Sequence, residues 1–310
     1  MPVRGVILPG TAGSTGQVLM SRTGRVIRVA LAVGGLLMIA GIVIPLVARA
    51  RLNSERINCQ NHLKDIGLLG VRHASMPNRG LPEQPTDELP AGTIYSNTLP
   101  PDQRLSWYVS ILNVLTTGLP QPEGAKKHRA PRGLGEILPV IDMNGAWDSE
   151  ANAPVARFRL TTAICPSRVS DLQDGIDQPT NYLAIGGLGL DTPSLSREAA
   201  GWKAGAYRYD SPTPLDAFTD GLHQTAQFIE TARDIGPWLR GGPSTLRGLD
   251  ETDLPHVGNG RAFGGCHPGG VYVSLADGAV SFLRESIDPV VFRAMFTIAG
   301  GRNEQPFDAP

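Results

Sequence analysis

Cysteine is scarce in this chain, with three in 310 residues. That excludes a disulfide-stapled scaffold and leaves room for one bridge. Net charge is also nearly missing. The 28 Lys and Arg are matched by 29 Asp and Glu, a formal charge of −1. A protein of nucleic acid would need a basic face, so no such partner is expected. Catalytic signatures are lacking as well. There is no Ser/His/Asp order, no nucleophile elbow, no acid pair and no Cys-x-x-Cys. An enzyme is therefore not expected, and neither is an organic cofactor.

What is present is turn chemistry and one long apolar run. The chain has 37 Gly and 26 Pro with 41% apolar residues, the make-up of a folded, turn-rich protein. Val29–Ala48 carries no charge and no strongly polar side chain. As a helix it would be about 30 Å long, the thickness of a bilayer's hydrocarbon core. Arg22, Arg25 and Arg28 precede it; Arg49 and Arg51 follow. A buried core helix and a cleaved signal peptide are the alternatives. The first should show a polar stripe and the second should stop sooner. Arginines at both ends barely choose an orientation.

The reading along the chain divides it at residues 28, 48 and 76. Residues 1–28 form a loose basic tail, and 29–48 a transmembrane helix that continues to about 76. Residues 77–310 form an exported α+β globular domain. The glycines of Val6–Gln17 have no strand-to-helix turn to serve, so they are not a phosphate loop. Leu52, Ile57, Leu63, Ile66, Leu69 and Val71 give the outer helix an apolar face, and Pro45 should bend it. Pro77, Asn78 and Gly80 end it. Ser106–Leu115 reads as an amphipathic helix with Trp107, Ile111 and Leu115 spaced i,i+4. Lys126, Lys127, His128, Arg129 and Arg132 lie on a basic surface loop. Strands are predicted at Phe158–Ile164, Asn181–Ile185 and Thr225–Glu230, with a glycine turn at Gly186, Gly187 and Gly189. Residues 236–262 read as surface loop. Val271–Leu283 reads as a hairpin turning at Asp277 and Gly278, followed by a helix capped by Asp288, opened by Pro289 and stopped by Gly300. Val291, Met295 and Ile298 would be its core face.

Six segments occur in an order and spacing that resemble a known family. They are VIPLVARARLNSERINCQNHLKDIG (Val43–Gly67), WDSEAN (Trp147–Asn152), CPSR (Cys165–Arg168), TNYLAIGG (Thr180–Gly187), FTDGLHQTAQFIE (Phe218–Glu230) and HPGGVYVSLADGAVSFLRESID (His267–Asp288). The chain resembles the DUF1559 (SBP_bac_10) proteins of planctomycetes, whose amino terminus is like that of type IV pilins and type II secretion pseudopilins. The resemblance implies a pilin-like build: a long amino-terminal helix anchored in the bacterial inner membrane and packed on an antiparallel sheet of an exported, periplasmic domain. It implies the lipid bilayer and other pseudopilin-like or envelope proteins as partners. It also implies a non-enzymatic structural or interaction role, with an anchored solute- or glycan-binding module as the alternative. That module would use Gly186–Gly189, residues 236–265 and Trp202 or Trp238. The family's prepilin peptidase site is altered. Counting back from Pro45, Arg28 stands at the glutamate position and Thr23 at the leader glycine, with Gly24 out of register.

Cys59 and Cys165 fall where the family carries cysteine, so the resemblance makes them a candidate disulfide. Pro45, His267, Gly269, Gly270, Asp277 and Gly278 are the motif residues. His267 is expected to bond backbone with its ring, a ligand-contacting or metal role being the alternative. Cys266, His267 and His256 fit no strong zinc-ligand spacing. For calcium, Asp220, Glu230 and Asp277 are the candidate carboxylates, and Asp277 is equally explained by its turn.

Overall fold

A computed structural model describes residues 22–75, 87–116, 134–171 and 176–301. The tail glycines, Pro77, Asn78, Gly80 and the basic loop at Lys126–Arg132 lie outside the described residues. The chain divides into two units, residues 1–51 and 52–310.

Helix α1 runs Arg22–Ala74 and passes through Pro45. In the first unit its apolar side chains are exposed, Leu36 at 68% and Met38 at 74%. The helix is long and apolar enough to cross a membrane. In the second unit the same helix is one-sided. Cys59, Leu63, Ile66 and Ala74 are buried, whereas Leu52 and Ile57, expected on the core face, are exposed.

Short strand β1 (Glu88–Leu89) is followed by α2 (Trp107–Thr116) and the one-turn helices α3 (Leu134–Ile137) and α4 (Ala153–Ala156). Helix α2 is buried on nearly every side rather than amphipathic; of its predicted i,i+4 trio only Leu115 is exposed. Trp107 stacks on Phe228 at 4.4 Å and donates its indole N–H to Thr245 O at 2.7 Å. The strand expected at Phe158–Ile164 is absent. Phe158 and Ile164 donate instead to Val155 O and Thr161 O, local turn bonds that satisfy the backbone without a sheet.

Strand β2 (Tyr182–Leu188) continues through Gly186 and Gly187 with a shift in register against its neighbour, Gly187 at φ 106°, so the expected glycine turn is a bulge within the strand. After α5 (Arg197–Ala200), β3 (Thr213–Pro214) pairs with β1. Strands β4 (Ala226–Glu230), β5 (Leu246–Leu249), β6 (Gly270–Leu275) and β7 (Val280–Arg284) join β2 in a sheet of order β5-β2-β4-β6-β7. Its pairs are antiparallel except β2 with β5. The sheet is thus mixed, not wholly antiparallel, and residues 236–262 supply an edge strand and buried Trp238, Leu239, Leu246, Leu249 and Val257 rather than a surface loop.

Alternation along the strands loads both sheet faces. Tyr182, Ala184 and Phe228 pack with Cys59, Leu63, Ile66 and α2. Leu183, Ile185, Ile229, Val271 and Val273 pack on the other side with Phe263, Phe292 and Phe296. The β6–β7 turn follows the prediction: Gly278 donates to Leu275 O and holds φ at 86°, a positive angle that glycine adopts without strain. Helix α6 (Pro289–Ala294) has the expected cap, Asp288 accepting from Val290 N at 2.8 Å. It ends at Ala294 rather than at Gly300, and its buried residue is Phe292, while Val291 is exposed.

Candidate functional site

A helix, a turn and two strand ends converge on one polar cluster inside the second unit. Cys59 comes from α1, Cys165 from the turn after Ile164, Glu230 from the end of β4, and His267 from the segment entering β6. One sulfur, nitrogen or oxygen of each lies within 4.8 Å of those of the other three. All four residues are buried, His267 the most exposed at 5%.

Each position has a local cause. Helical periodicity puts Cys59 one turn before Leu63, on the buried face of α1. Asn181 accepts from Cys165 N at 3.1 Å and donates to Thr231 O at 3.0 Å, tying the cysteine's segment to the end of β4. Glu230 pairs across the sheet with Tyr182 and accepts from Tyr272 N at 2.9 Å. Gly269, at φ 87°, turns the chain so that His267 bridges to Gly270.

Within the cluster, the Cys59 thiol donates to Glu230 Oε1 and lies 3.0 Å from the Tyr182 hydroxyl. Cys165 Sγ lies 3.3 Å from His267 Nε2, which is 3.7 Å from Glu230 Oε1. Burial pushes the Cys59 thiol and the Glu230 carboxyl up. Cys165 goes the other way: its hydrogen bonds with Cys266 and Cys59, and then with His267, push the thiol down. Burial alone would lower His267, but its bonds to Cys165 and Glu230 outweigh this and bring it to about 9. The cluster, its four residues buried, can store charge or hold a small ion.

The sequence readings fare unevenly against this geometry. Cys59 and Cys165 are brought together as the resemblance implies, and all three cysteines stand as free thiols. The ring of His267 faces Cys165, Glu230 and Ser167 rather than backbone, so the backbone-bonded reading does not hold. Of the three carboxylates, Glu230 alone joins the cluster. Asp220 accepts from Gly300 N at 2.6 Å, and Asp277 from Ala279 N at 2.9 Å within its own turn. His256 stacks on Phe292 at 5.4 Å, away from His267 and Cys266. Trp238 is buried in the core with its N–H on Phe158 O, and Trp202 packs in the cluster on the other sheet face. They do not line a common pocket. Sequence reasoning missed the grouping of Glu230 and His267 with the two cysteines. The signal it had was that all four fall inside the family-like segments.

No curated protein and no solved structure matches the chain. One family model does, over residues 239–290, a segment that holds β5, β6, β7, Cys266 and His267. Residues 239–290 are thus similar to the family described as SBP_bac_10, Protein of unknown function (DUF1559).

Proposed function

We propose that the protein is a non-enzymatic, single-pass anchored protein of the bacterial inner membrane, pseudopilin-like in build, whose exported domain contacts other envelope proteins. The observation that carries this is the double character of α1. Its apolar window has a mean hydropathy of 2.5 with none of it buried, and from Cys59 onward the same helix supplies core side chains. A helix with no polar stripe has no stable place in water, and lipid is the solvent that suits it. Helix-on-sheet packing in residues 52–301 supports the pilin-like comparison. Among the described residues, the burial of all four members of the cluster of reactive groups supports a non-enzymatic role.

Arg28 speaks against assembly into a pilus. A buried glutamate at that place would neutralise a neighbouring subunit's amino terminus, and an arginine cannot. The anchored protein is therefore expected to act without polymerising. Fractionation of cells expressing the full chain, followed by amino-terminal sequencing, tests this. The membrane fraction should hold the protein with its tail intact. A mature start near Arg25 would show prepilin-type processing, and recovery in the soluble fraction would overturn the anchor itself.

A further inference from the structure

We propose that Cys59, Cys165, Glu230 and His267 form a structural zinc site that clamps the outer half of α1 to the sheet. The donor set is the first argument: two sulfurs, an imidazole nitrogen and a carboxylate oxygen are ligands that zinc takes in a closed tetrahedral site. The spacing is the second. Ligands about 2.0–2.3 Å from a tetrahedral zinc lie about 3.3–3.8 Å from one another. Of the six donor separations, Cys165 Sγ to His267 Nε2 at 3.3 Å and His267 Nε2 to Glu230 Oε1 at 3.7 Å fall at this spacing, whereas Cys59 Sγ and Glu230 Oε1 lie closer, as a thiol hydrogen-bonded to the carboxylate, and would part around an ion. All four donors fall within 4.8 Å.

The surroundings orient the donors as outer partners of a metal site do. His267 Nδ1 lies 3.5 Å from Ser167 Oγ, which donates to Glu55 Oε2 at 3.2 Å. With an ion bound, that relay would accept the Nδ1 proton and leave the Nε2 lone pair to the metal. Tyr272 N holds Glu230 Oε2, which leaves Oε1 facing the sulfurs. The Tyr182 hydroxyl at 3.0 Å supports Cys59 Sγ.

Charge is the third argument. Three acidic groups are buried with one imidazole as their basic partner inside the cluster. Burying such a set uncompensated is costly, and a divalent cation offsets it by releasing the thiol protons and binding the thiolates. A Cys59–Cys165 disulfide is the rival. It would use two of the four groups and leave Glu230 and His267 buried with no role. The four ligands lie at 59, 165, 230 and 267, so one ion would tie together segments from most of the domain.

The test uses the full chain, purified in detergent without chelator. Plasma mass spectrometry is expected to find about one zinc per chain, and X-ray absorption a mixed shell of sulfur and lighter donors. Cys59→Ser, Glu230→Gln and His267→Ala should each lower bound zinc at least tenfold, and His256→Gln should keep it. Loss of zinc in those variants could follow from loss of fold, so the unaltered protein carries the decision. If it is folded yet holds no zinc and takes up neither Zn²⁺ nor Co²⁺, the site is refuted. An intact mass short of two hydrogens, with Cys59 and Cys165 in one non-reduced peptide, refutes it in favour of the disulfide. Zinc retained by Glu230→Gln but lost by Cys266→Ser refutes the donor set.

Discussion

The two halves of α1 differ in apolar content, 16 of the 20 residues Val29–Ala48 against 9 of the 23 residues Leu52–Ala74, and have opposite circumstances. Between Val29 and Ala48 the large apolar side chains are exposed whichever way they point, Leu31 at 71% and Ile44 at 67%. Between Leu52 and Ala74 the apolar residues sort by face: Leu63 and Ile66 are buried at 0% and 2%, and Ile57 and Leu68 look outward. The difference lies in what interrupts the pattern. Asn58, Gln60, Asn61, Lys64 and Asp65 break up the outer half, leaving one side free to pack, and nothing polar interrupts the inner half. Hydrophobicity alone does not place a helix; the period of its polar residues does.

Breaking this comparison should begin with truncation. Leu63→Ala, in the core, is expected to lower the domain's stability by about 2–5 kcal/mol in a urea titration. Leu36→Ala should leave it within about 0.5 kcal/mol. Equal losses would mean that the inner half also packs in protein. Glycine gives the next contrast. A Cβ on Gly67 would overlap the Ser274 hydroxyl, and one on Gly70 would sit 2.9 Å from Gln227 Oε1. A Cβ on Gly41 would meet nothing within 4 Å. Gly67→Ala should therefore cost about 1–3 kcal/mol by forcing helix and sheet apart. Gly41→Ala should cost nothing measurable in the same titration, since alanine is the better helix former.

The smallest expected effect is on pH dependence. His73, in the last turn of α1, is held below the ordinary imidazole range by burial, against an opposing hydrogen bond to the Glu88 backbone. The unfolded chain then binds a proton that the folded one resists. Stability from this residue is complete above pH about 6.5 and declines as pH falls below it. His73→Gln should flatten that decline between neutral and mildly acid pH. The stretch Val29–Ala48 has no titratable side chain, so it should contribute no such slope. A decline unchanged in His73→Gln would place the acid sensitivity elsewhere.

Much of this architecture was legible because its signals are local. The charge-free run, the Asp288-Pro289 cap and the Gly278 turn each need only neighbours in sequence. What was not legible depends on distant partners. Leu246–Leu249 looks like loop because it pairs in parallel with Ala184–Leu188, and no hairpin turn announces such a pair. Phe158–Ile164 looks like strand, but local turn bonds consume its backbone donors. The cluster was the least legible. Cys59, Cys165, Glu230 and His267 fit no short ligand motif, and it takes the helix, the turn and two strand ends to assemble them.

The most direct measurement is the partition of two chains after alkaline carbonate extraction: the full chain and one beginning at Leu52. The account predicts that the full chain stays with the membrane pellet. The shortened chain should be soluble and folded, with the near-ultraviolet signal of its packed Trp107 and Trp238. A full chain released to the supernatant, or a shortened chain retained in the pellet, would contradict the division of α1 into an anchor and a core helix.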